Sequence, residues 1–374
     1  MSNKNIHVWD VEIRVFHWLL LASVAGAWLT IQFGPPGMIT LHEILGFAVG
    51  ILLIFRFFWG LLGSEHMRFA GFVRGPRDVL AHIKSLLTGN PLRFIGHNPA
   101  GGAMIIVLLL VLVGIVATGV AAMGGFDKSG PLAHYLTFAQ GRTAREIHGI
   151  LVNILLGLVG IHVAGVLLET FLLKENLIAS MWHGMKPSHE DAQGAAFPQP
   201  LARPATATLL AVLLTAAAGG AGVWLSLLPP LGVPQLAMDP SYVKECGSCH
   251  TPHHPSLLPS ASWRLVMGGL DDHFGDDATL SEAKRQELEN WLVSSTELGW
   301  DTKPGQRIPS TLKPDVPMRI TQAKYWERRH RHIPEATFKT KSVGGKANCK
   351  SCHVDAAQGR FSKQGIAIPE EIKP

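Results

Sequence analysis

Two short segments contain all four cysteines of the chain, and both have the same pattern. "CGSCH" occupies residues 246–250, and "CKSCH" occupies residues 349–353. Cys-x-x-Cys-His is the attachment signature of c-type haem, in which both thiols bond to the haem and the histidine binds the iron. A zinc site would not require a histidine after both pairs, and a thioredoxin-like disulfide would need a βαβ pattern that the sequence lacks. We therefore expect two covalent c haems, held by six residues: Cys246, Cys249, His250, Cys349, Cys352 and His353.

Each c haem needs a sixth iron ligand or leaves that position open. The candidates in this part of the chain are five histidines and three methionines: His253, His254, His273, His330, His332, Met238, Met267 and Met318. The two histidines just after the first motif are too near it to reach easily over the porphyrin. His273 lies 23 residues after His250. His330 lies 23 residues before His353, so in both cases the chain can wrap around a haem. We predict His273 and His330, with His332 as the alternative to His330; two histidine ligands give lower potentials than a methionine.

Four more histidines lie within or at the ends of long apolar segments: His17, His42, His148 and His162. The stretch "IHGILVNILLGLVGIHVAG", residues 147–165, contains two of them, 14 residues apart. Four helical turns take about 14.4 residues, so both rings project from nearly the same face, roughly 21 Å apart along the axis. An ionisable residue inside a bilayer is a candidate functional site. An interfacial histidine in contact with water is the ordinary alternative, but it fits His162 poorly, because that residue lies roughly 25 Å into its span.

The elements that must position these residues are apolar runs long enough to cross a bilayer. There are five, approximately residues 13–33, 40–62, 100–123, 145–173 and 205–228. Short-loop lysines and arginines are concentrated before the first run and in the loops after the second and fourth runs, which places the N-terminus in the cytoplasm. His17 and His162 then lie at the cytoplasmic level, whereas His42 and His148 lie at the outer level. Two pairs at two depths are what two bis-histidine haems stacked across a membrane require.

The composition divides the chain into a membrane part and a more polar part. Hydrophobic residues make up 47% of the chain and charged residues 16%, below the roughly 25% of an average soluble domain. The net charge of +5 needs no nucleic-acid partner, because five of the cations lie in the single loop between the second and third runs. "PPLGVPQLAMDP", residues 229–240, is a proline-rich linker after which the sequence turns polar. We expect a membrane domain over residues 1–190, a loop end, fifth span and linker over 191–234, and an exported dihaem domain over 235–374.

One segment of the exported domain has a helical pattern. "TLSEAKRQELENWLVSS", residues 279–295, places Thr279 and Glu282 in a capping-box arrangement. Its apolar residues could face a core at helical spacing: Leu280, Leu288, Trp291 and Leu292. We expect this helix to be structural, and we expect the rest of the domain to be largely irregular, with two haems supplying much of its apolar core.

Three segments of the membrane part resemble the bacterial cytochrome b561 family, which includes the cytochrome b subunits of nickel–iron hydrogenases. They are "WDVEIRVFHWLL" (9–20), "LHEILGF" (41–47) and the stretch 147–165 quoted above. The resemblance covers roughly residues 6–185. It implies a four-helix membrane protein with two non-covalent b haems, whose ligands are a histidine early in helices one and two and two histidines in helix four. Residue by residue it implies the pairing expected from depth: His17 with His162 on the cytoplasmic side, and His42 with His148 on the periplasmic side.

The polar tail is similar to the bacterial dihaem cytochrome c family over roughly residues 240–370. The segments that carry this resemblance are "ECGSCH", "LLPSASW", "HFGDDATL" and "NCKSCH". The resemblance supports His273 as a ligand and, less directly, His330. The chain departs from the family pattern at "HTPHHPSLLP", where additional histidines follow the first motif.

Together these features predict an all-α membrane protein with a four-helix haem-b bundle, a fifth tethering helix and a small, mainly α or irregular dihaem cytochrome c domain. We expect a tetrahaem electron-transfer protein of the bacterial inner membrane that links the quinone pool to periplasmic redox partners. Its other neighbours would be membrane lipids, and the membrane part allows a homo-oligomer. The sequence offers no catalytic nucleophile. Alternatives are a superoxide:quinone oxidoreductase, a membrane cytochrome subunit of a periplasmic hydrogenase-like enzyme, and a gas-binding module with an open iron position.

Overall fold

The computed structural model describes residues 5–34, 38–88, 94–172, 175–187, 201–312 and 319–370. The chain divides into two compact units. The first comprises Met1–Val120 and Ala144–Trp224, and the second comprises Ala121–Thr143 and Leu225–Pro374. The connection between the third and fourth spans therefore belongs to the same unit as the C-terminal domain.

The membrane part is helical. Its α-helices are α1 Val11–Gln32, α2 Ile39–Leu62, α3 Phe69–Phe72, α4 Pro76–Leu87, α5 Pro99–Phe126, α6 Phe138–Leu172, α7 Leu177–His183 and α8 Pro204–Ser226. A short antiparallel sheet pairs β1 Asn5–His7 with β2 Met185–Pro187. No pattern in the sequence predicts this sheet. Among the described residues five helices, α1, α2, α5, α6 and α8, are long and apolar enough to cross a membrane. The five predicted spans are confirmed, and the chain is an integral membrane protein.

Helix α6 begins at Phe138, seven residues before the predicted start at residue 145. Its first two turns are polar, so hydropathy alone placed the start too late. A reciprocal cap explains the earlier start. The Gln140 side chain accepts from the Thr137 amide at 2.9 Å, and the Gln140 amide donates to the Thr137 hydroxyl at 3.2 Å. This is a capping box, which satisfies two amides that the first helical turn would otherwise leave unbonded.

Asp10 fixes the start of α1, the helix that contains His17. One carboxylate oxygen accepts from the Ile13 amide at 2.8 Å, as expected of an N-cap. The other accepts from the Trp59 indole at 3.0 Å and from the Ser64 hydroxyl. Asp10 thus joins the beginning of α1 to the end of α2.

The second unit contains short helices and long irregular segments, as predicted. Its α-helices are α9 Pro240–Cys246, α10 Ser260–Gly268, α11 Glu282–Thr296, α12 Lys303–Arg307, α13 Lys324–His330 and α14 Glu335–Phe338. Helices α10 and α11 pack together on one apolar core. Leu288 and Leu292 of α11 are fully buried in it, and Leu280 and Trp291 pack against it, which confirms the predicted inward face.

The predicted start of α11 is wrong. Ser281, rather than Thr279, is the N-cap residue, and its side chain makes no capping hydrogen bond. The Thr279 amide instead donates to the Asp277 carboxylate at 2.9 Å. The Glu282 carboxylate pairs with Arg285 at 2.7 Å, so neither partner of the expected capping box is available for it.

Candidate haem-binding sites

His42 of α2 and His148 of α6 face each other. Their ring centroids are 6.2 Å apart and the rings are tilted by 74°. A first-row metal–imidazole bond is about 2.0 Å long, so one iron between two imidazoles sets the ring centroids about 6 Å apart. The separation therefore fits a single iron between the two rings.

Both rings are held by backbone carbonyls through the nitrogen that iron would not use. The Nδ1 atom of His42 is 2.9 Å from the Ala27 carbonyl oxygen, and that of His148 is 2.9 Å from the Ile115 carbonyl oxygen. A carbonyl on Nδ1 fixes the tautomer and leaves Nε2 for a metal. Gly119 allows α5 to lie close to this ring, because a Cβ there would be 3.3 Å from His148 Cε1.

His17 of α1 and His162 of α6 form the second pair in the membrane part. The pairing of these two histidines is the one that the sequence predicts. The Nδ1 atom of His17 is buried and has no hydrogen-bond partner within the described residues. On α6, His162 follows His148 by 14 residues, so one helix contributes to both pairs about 21 Å apart.

His97 is a further histidine of the first unit, and the sequence reasoning missed it. The residue precedes α5, and its ring is 4.5 Å from Trp9 and 5.0 Å from Phe72 between centroids. Burial, and the positive charges of Arg56 and Lys186, lower the pKa of His97 to about 3. Its only sequence signal was a histidine in the polar connection between the second and third apolar runs, and such a signal is common among ordinary loop histidines.

In the C-terminal domain His250 and His273 form the third pair. Their rings are nearly parallel, tilted by 17°, with centroids 6.3 Å apart. The Nδ1 atom of His250 is 2.8 Å from the carbonyl oxygen of Thr251. A β-bridge between His273 and Asp276 holds the segment that contains the second histidine.

His330 and His353 form the fourth pair, with ring centroids 6.2 Å apart. The Nδ1 atom of His330 is 2.9 Å from the Trp326 carbonyl oxygen, one helical turn earlier in α13. The Trp326 ring also stacks on His330 at 4.2 Å. His353 is held by a β-bridge to Ile366.

The other candidate sixth ligands are placed differently. The His253 ring is 4.8 Å from His250, closer than an iron between them allows. His254 is 1% exposed and its Nδ1 is 2.9 Å from the Ser256 hydroxyl. His332 accepts from Arg331 at 2.9 Å. Met267 is buried in the apolar core and Met238 packs against it; Met318 lies outside the described residues.

The cysteines of the two motifs are not in disulfides. Burial raises the pKa of both Cys246 and Cys349 to about 11, so these thiols are neutral and sit in apolar surroundings, as thioether sulfurs would. Within the described ranges no group of three or more His, Cys, Asp or Glu side chains could hold a metal ion by itself. The donor set fits a haem, which brings four nitrogens of its own, better than a zinc ion.

Hydrogen bonds join the two Cys-x-x-Cys-His motifs directly. Thr251, the residue after the first motif, donates to the Asn348 side-chain oxygen from its amide at 3.1 Å and from its hydroxyl at 3.2 Å. The Lys350 amide of the second motif donates to the same hydroxyl at 3.2 Å. These bonds place the two motifs side by side, although about 100 residues separate them in the sequence.

A buried ion pair ties the connection between α5 and α6 to the C-terminal domain. Lys128 donates to the Asp301 carboxylate at 2.6 Å and to the carbonyls of Leu136 and Leu231 at 3.0 and 2.9 Å. The same carboxylate oxygen accepts from the Phe138 amide at 2.7 Å. All three ammonium hydrogens are used, and the Lys128 side chain is 4% exposed.

Comparison with known families gives one match for each part of the chain. Residues 8–184 match the family model described as prokaryotic cytochrome b561, and residues 242–361 match that of dihaem cytochrome c.

Two curated relatives are similar to about half of the chain. The "Probable Ni/Fe-hydrogenase B-type cytochrome subunit" of Rhizobium leguminosarum bv. viciae is 24% identical over 216 residues, which is 49% of this chain and 90% of that protein. The protein of the same name from Cupriavidus necator is 24% identical over 217 residues, which is 50% of this chain and 88% of that protein.

Solved structures are similar to about a third of the chain. The diheme cytochrome c from Rhodobacter sphaeroides is 30% identical, covers 33% of this chain and 97% of its own, and gives a TM-score of 0.28. A diheme cytochrome type c from Shewanella baltica OS155 is 29% identical, covers 36% of this chain and 96% of its own, and gives the same TM-score of 0.28.

Proposed function

Because residues 8–184 belong to the prokaryotic cytochrome b561 family and residues 242–361 to the dihaem cytochromes c, we propose that this membrane electron-transfer protein links the quinone pool to a redox partner in the periplasm. The observation that carries the proposal is the repeated histidine geometry. Three pairs have ring centroids 6.2 to 6.3 Å apart, two of them in the C-terminal domain and one in the bundle. The fourth pair, His17 with His162 in the bundle, is the one that the sequence predicts.

The proposal assigns two b haems and two c haems. His42 with His148 and His17 with His162 would hold the b haems; the ligands of the c haems would be His250 with His273 and His330 with His353. The thioether bonds would come from Cys246, Cys249, Cys349 and Cys352. When bound, the haems supply reversible one-electron chemistry.

The protein residues orient the imidazoles and exclude water. Backbone carbonyls fix Nδ1 in both histidines of the His42–His148 pair and in one histidine of each pair in the C-terminal domain. A fixed tautomer strengthens a histidine as a ligand, and a buried, rigid site limits the reorganisation that accompanies a change in charge.

The location and orientation of the protein are proposed from the charges of its loops. The cations in the short loops favour an N-terminus in the cytoplasm and a C-terminal domain in the periplasm, which is where c haems are attached. We therefore propose the bacterial inner membrane, with His17 and His162 near its cytoplasmic face and His42 and His148 near its outer face.

A spectral titration of the purified protein with a short-chain quinol tests the proposal. A pyridine-haemochrome assay should find non-covalent b haem beside covalent c haem, and quinol should reduce both. His162→Ala should lose one b haem and quinol-driven reduction of the c haems if the quinone binds at the cytoplasmic side. His183→Ala, which removes an exposed histidine of α7, is the matched control and should behave as the wild type.

Two results would contradict this proposal. Absence of b haem would remove the membrane sites, and absence of quinol reduction with all haems present would remove the quinone as substrate. Unchanged reduction of the c haems in His162→Ala would move the quinone site to the His42–His148 pair.

A second candidate function is a membrane subunit that docks to a periplasmic hydrogenase-like enzyme. Support comes from the relatives of the membrane part, which are named as probable Ni/Fe-hydrogenase cytochrome subunits. Affinity purification from mild detergent distinguishes the two functions. A stoichiometric catalytic subunit bound to the chain would favour the second, whereas a chain that purifies alone and is reduced by quinol would favour the first.

A further inference from the structure

His330 lies within a strongly basic segment that ends three residues before His353. Residues 324–350 contain eight lysines and arginines against two glutamates. All eight cations are exposed: Lys324, Arg328, Arg329, Arg331, Lys339, Lys341, Lys346 and Lys350. We call this segment the basic lobe.

The basic lobe is one compact structure around the histidine pair. Phe338 of α14 contacts both Trp326, with ring centroids 5.8 Å apart, and His330, at 6.4 Å. The Ser351 hydroxyl donates to the Val343 carbonyl at 3.1 Å, which closes the chain back onto the second motif. The segment that carries the cations is therefore folded against His330 and the second motif instead of being extended.

The rest of the domain has the opposite charge. Residues 239–312, which contain the His250–His273 pair, have eleven aspartates and glutamates against six lysines and arginines. In the described part of the basic lobe a single ion pair forms, between Lys346 and Glu335 at 2.7 Å. The positive field of the lobe is thus directed outwards rather than neutralised internally.

Apolar side chains are exposed among these cations. Val354, the residue after the iron-binding His353, is 62% exposed, and Ile333 is 39% exposed. An apolar centre with a charged rim is the usual construction of a protein-binding surface. A lipid-binding segment would instead be an amphipathic helix with many large apolar residues beside its cations, and α13 and α14 have seven and four residues.

We propose that the basic lobe is the docking surface for an acidic one-electron redox protein, and that this partner exchanges electrons with the haem at His330 and His353. The inference rests on the proposed function and names its partner by charge. In the forward direction one electron leaves the reduced haem and reduces the oxidised centre of the partner. No bond forms or breaks, and the reverse transfer uses the same surface.

Stopped-flow oxidation of the full chain in neutral-lipid nanodiscs tests this inference. The c haems are first reduced with dithionite, so that no step depends on a quinol. The probe is an oxidised monohaem cytochrome c of net negative charge, and the variant is the double charge reversal Lys339→Glu with Lys341→Glu. We expect the second-order rate constant to fall about 10- to 100-fold at low ionic strength, because electrostatic steering raises association rates by such factors. The wild-type rate should decrease with added salt, and the variant should depend on salt much less.

Arg264→Glu is the matched control, since it reverses an exposed cation of α10 in the acidic half of the domain. Its rate constant should stay within about twofold of the wild type. Binding is measured separately, as the Kd for the reduced probe, for which no net electron transfer occurs. The Lys339→Glu, Lys341→Glu variant should bind about 10-fold or more weakly.

Three results would overturn the inference: equal rate constants in wild type and double variant, an equal loss in Arg264→Glu, or faster oxidation by a basic monohaem cytochrome c than by the acidic one. Weaker co-sedimentation of the double variant with phosphatidylglycerol vesicles, with an unchanged oxidation rate, would assign the lobe to the lipid surface instead. A failure of the proposed function would differ, since quinol would then leave the c haems oxidised while the dithionite-reduced protein still showed the charge effect.

Discussion

Replacement of Lys128 by methionine should loosen the connection between α5 and α6 from the C-terminal domain. The lysine donates to three acceptors, one of them the Asp301 carboxylate. Methionine has a similar length and no charge. The backbone φ of 53° at this residue is equally unfavourable for lysine and methionine, so the substitution tests the ammonium group alone.

The expected magnitude follows from burial. Breaking a buried ion pair by removing one partner costs about 3–5 kcal/mol. Asp301 retains the Phe138 amide as a donor and its side chain is 26% exposed, which reduces the penalty. We therefore expect local opening to become easier by about 2–4 kcal/mol, or roughly 30- to 1000-fold in the opening equilibrium.

Hydrogen–deuterium exchange of the full chain in detergent measures this opening. The informative amides are those of Phe138, Asp301 and Leu231, which donate to Asp301, Gly232 and Ala133 respectively. Their exchange should accelerate together, because they join the same three segments. The double variant Lys128→Met with Asp301→Leu should recover part of the protection, since no unpaired charge stays buried.

Lys346→Met is the matched control. It removes an ion pair of similar length, 2.7 Å, whose side chains are 42% and 60% exposed, and exposed pairs contribute about 1 kcal/mol or less. The reasoning would be refuted if Lys128→Met changed the exchange rates of the three amides by less than about threefold. An equal acceleration in Lys346→Met would have the same consequence.

Three more substitutions test other parts of the structure. Burial lowers the pKa of His254 to about 4, below the value near 6.5 in the unfolded chain. As the pH falls the unfolded chain binds the proton first, so the free energy of unfolding should fall by roughly 2 kcal/mol between about pH 7 and pH 5. Urea unfolding should show a much smaller loss in His254→Gln. Thr251→Val removes the hydroxyl that accepts from the Lys350 amide, so that amide should exchange about 5- to 10-fold faster, as for one lost hydrogen bond. Asp10→Ala removes the N-cap of α1 and should cost about 1–2 kcal/mol; the haemochrome ratio of b to c should fall, because α1 contains His17.

The membrane helices and the histidine pairs were accessible from the sequence because each has a local signal. Hydropathy gave the spans, the 14-residue spacing gave the two levels on α6, and the repeated motif gave His250 and His353. The structure brings His42 to His148, His250 to His273 and His330 to His353, and ligation of iron by these pairs stays a prediction. The early start of α6 also has a signal in the sequence, since Thr137 and Gln140 have capping-box spacing. Hydropathy does not detect this start, because it marks only the apolar part of the helix.

The remaining features join residues that have no common pattern in the sequence. Lys128 and Asp301 are 173 residues apart, and Thr251 and Asn348 are 97 residues apart. Each of these residues lies in a stretch that reads as an ordinary turn or loop. The neighbouring sequence therefore does not reveal that the residue has a distant partner. The failed capping box at Thr279 shows the converse: the local pattern was present, but Asp277 and Arg285 provided competing partners.

The carbonyls that hold the histidine rings differ between the two parts of the chain, and the difference has a consequence for assembly. In the bundle the carbonyls that hold His42 and His148 belong to residues 15 and 33 positions away, on neighbouring helices. In the C-terminal domain the carbonyls that hold His250 and His330 are one and four residues away. Ring orientation in the membrane therefore depends on helix packing, whereas in the C-terminal domain it is set locally. A substitution that disturbs packing of α1, α2 or α5 should for this reason reduce the content of b haem while the covalently attached c haems remain.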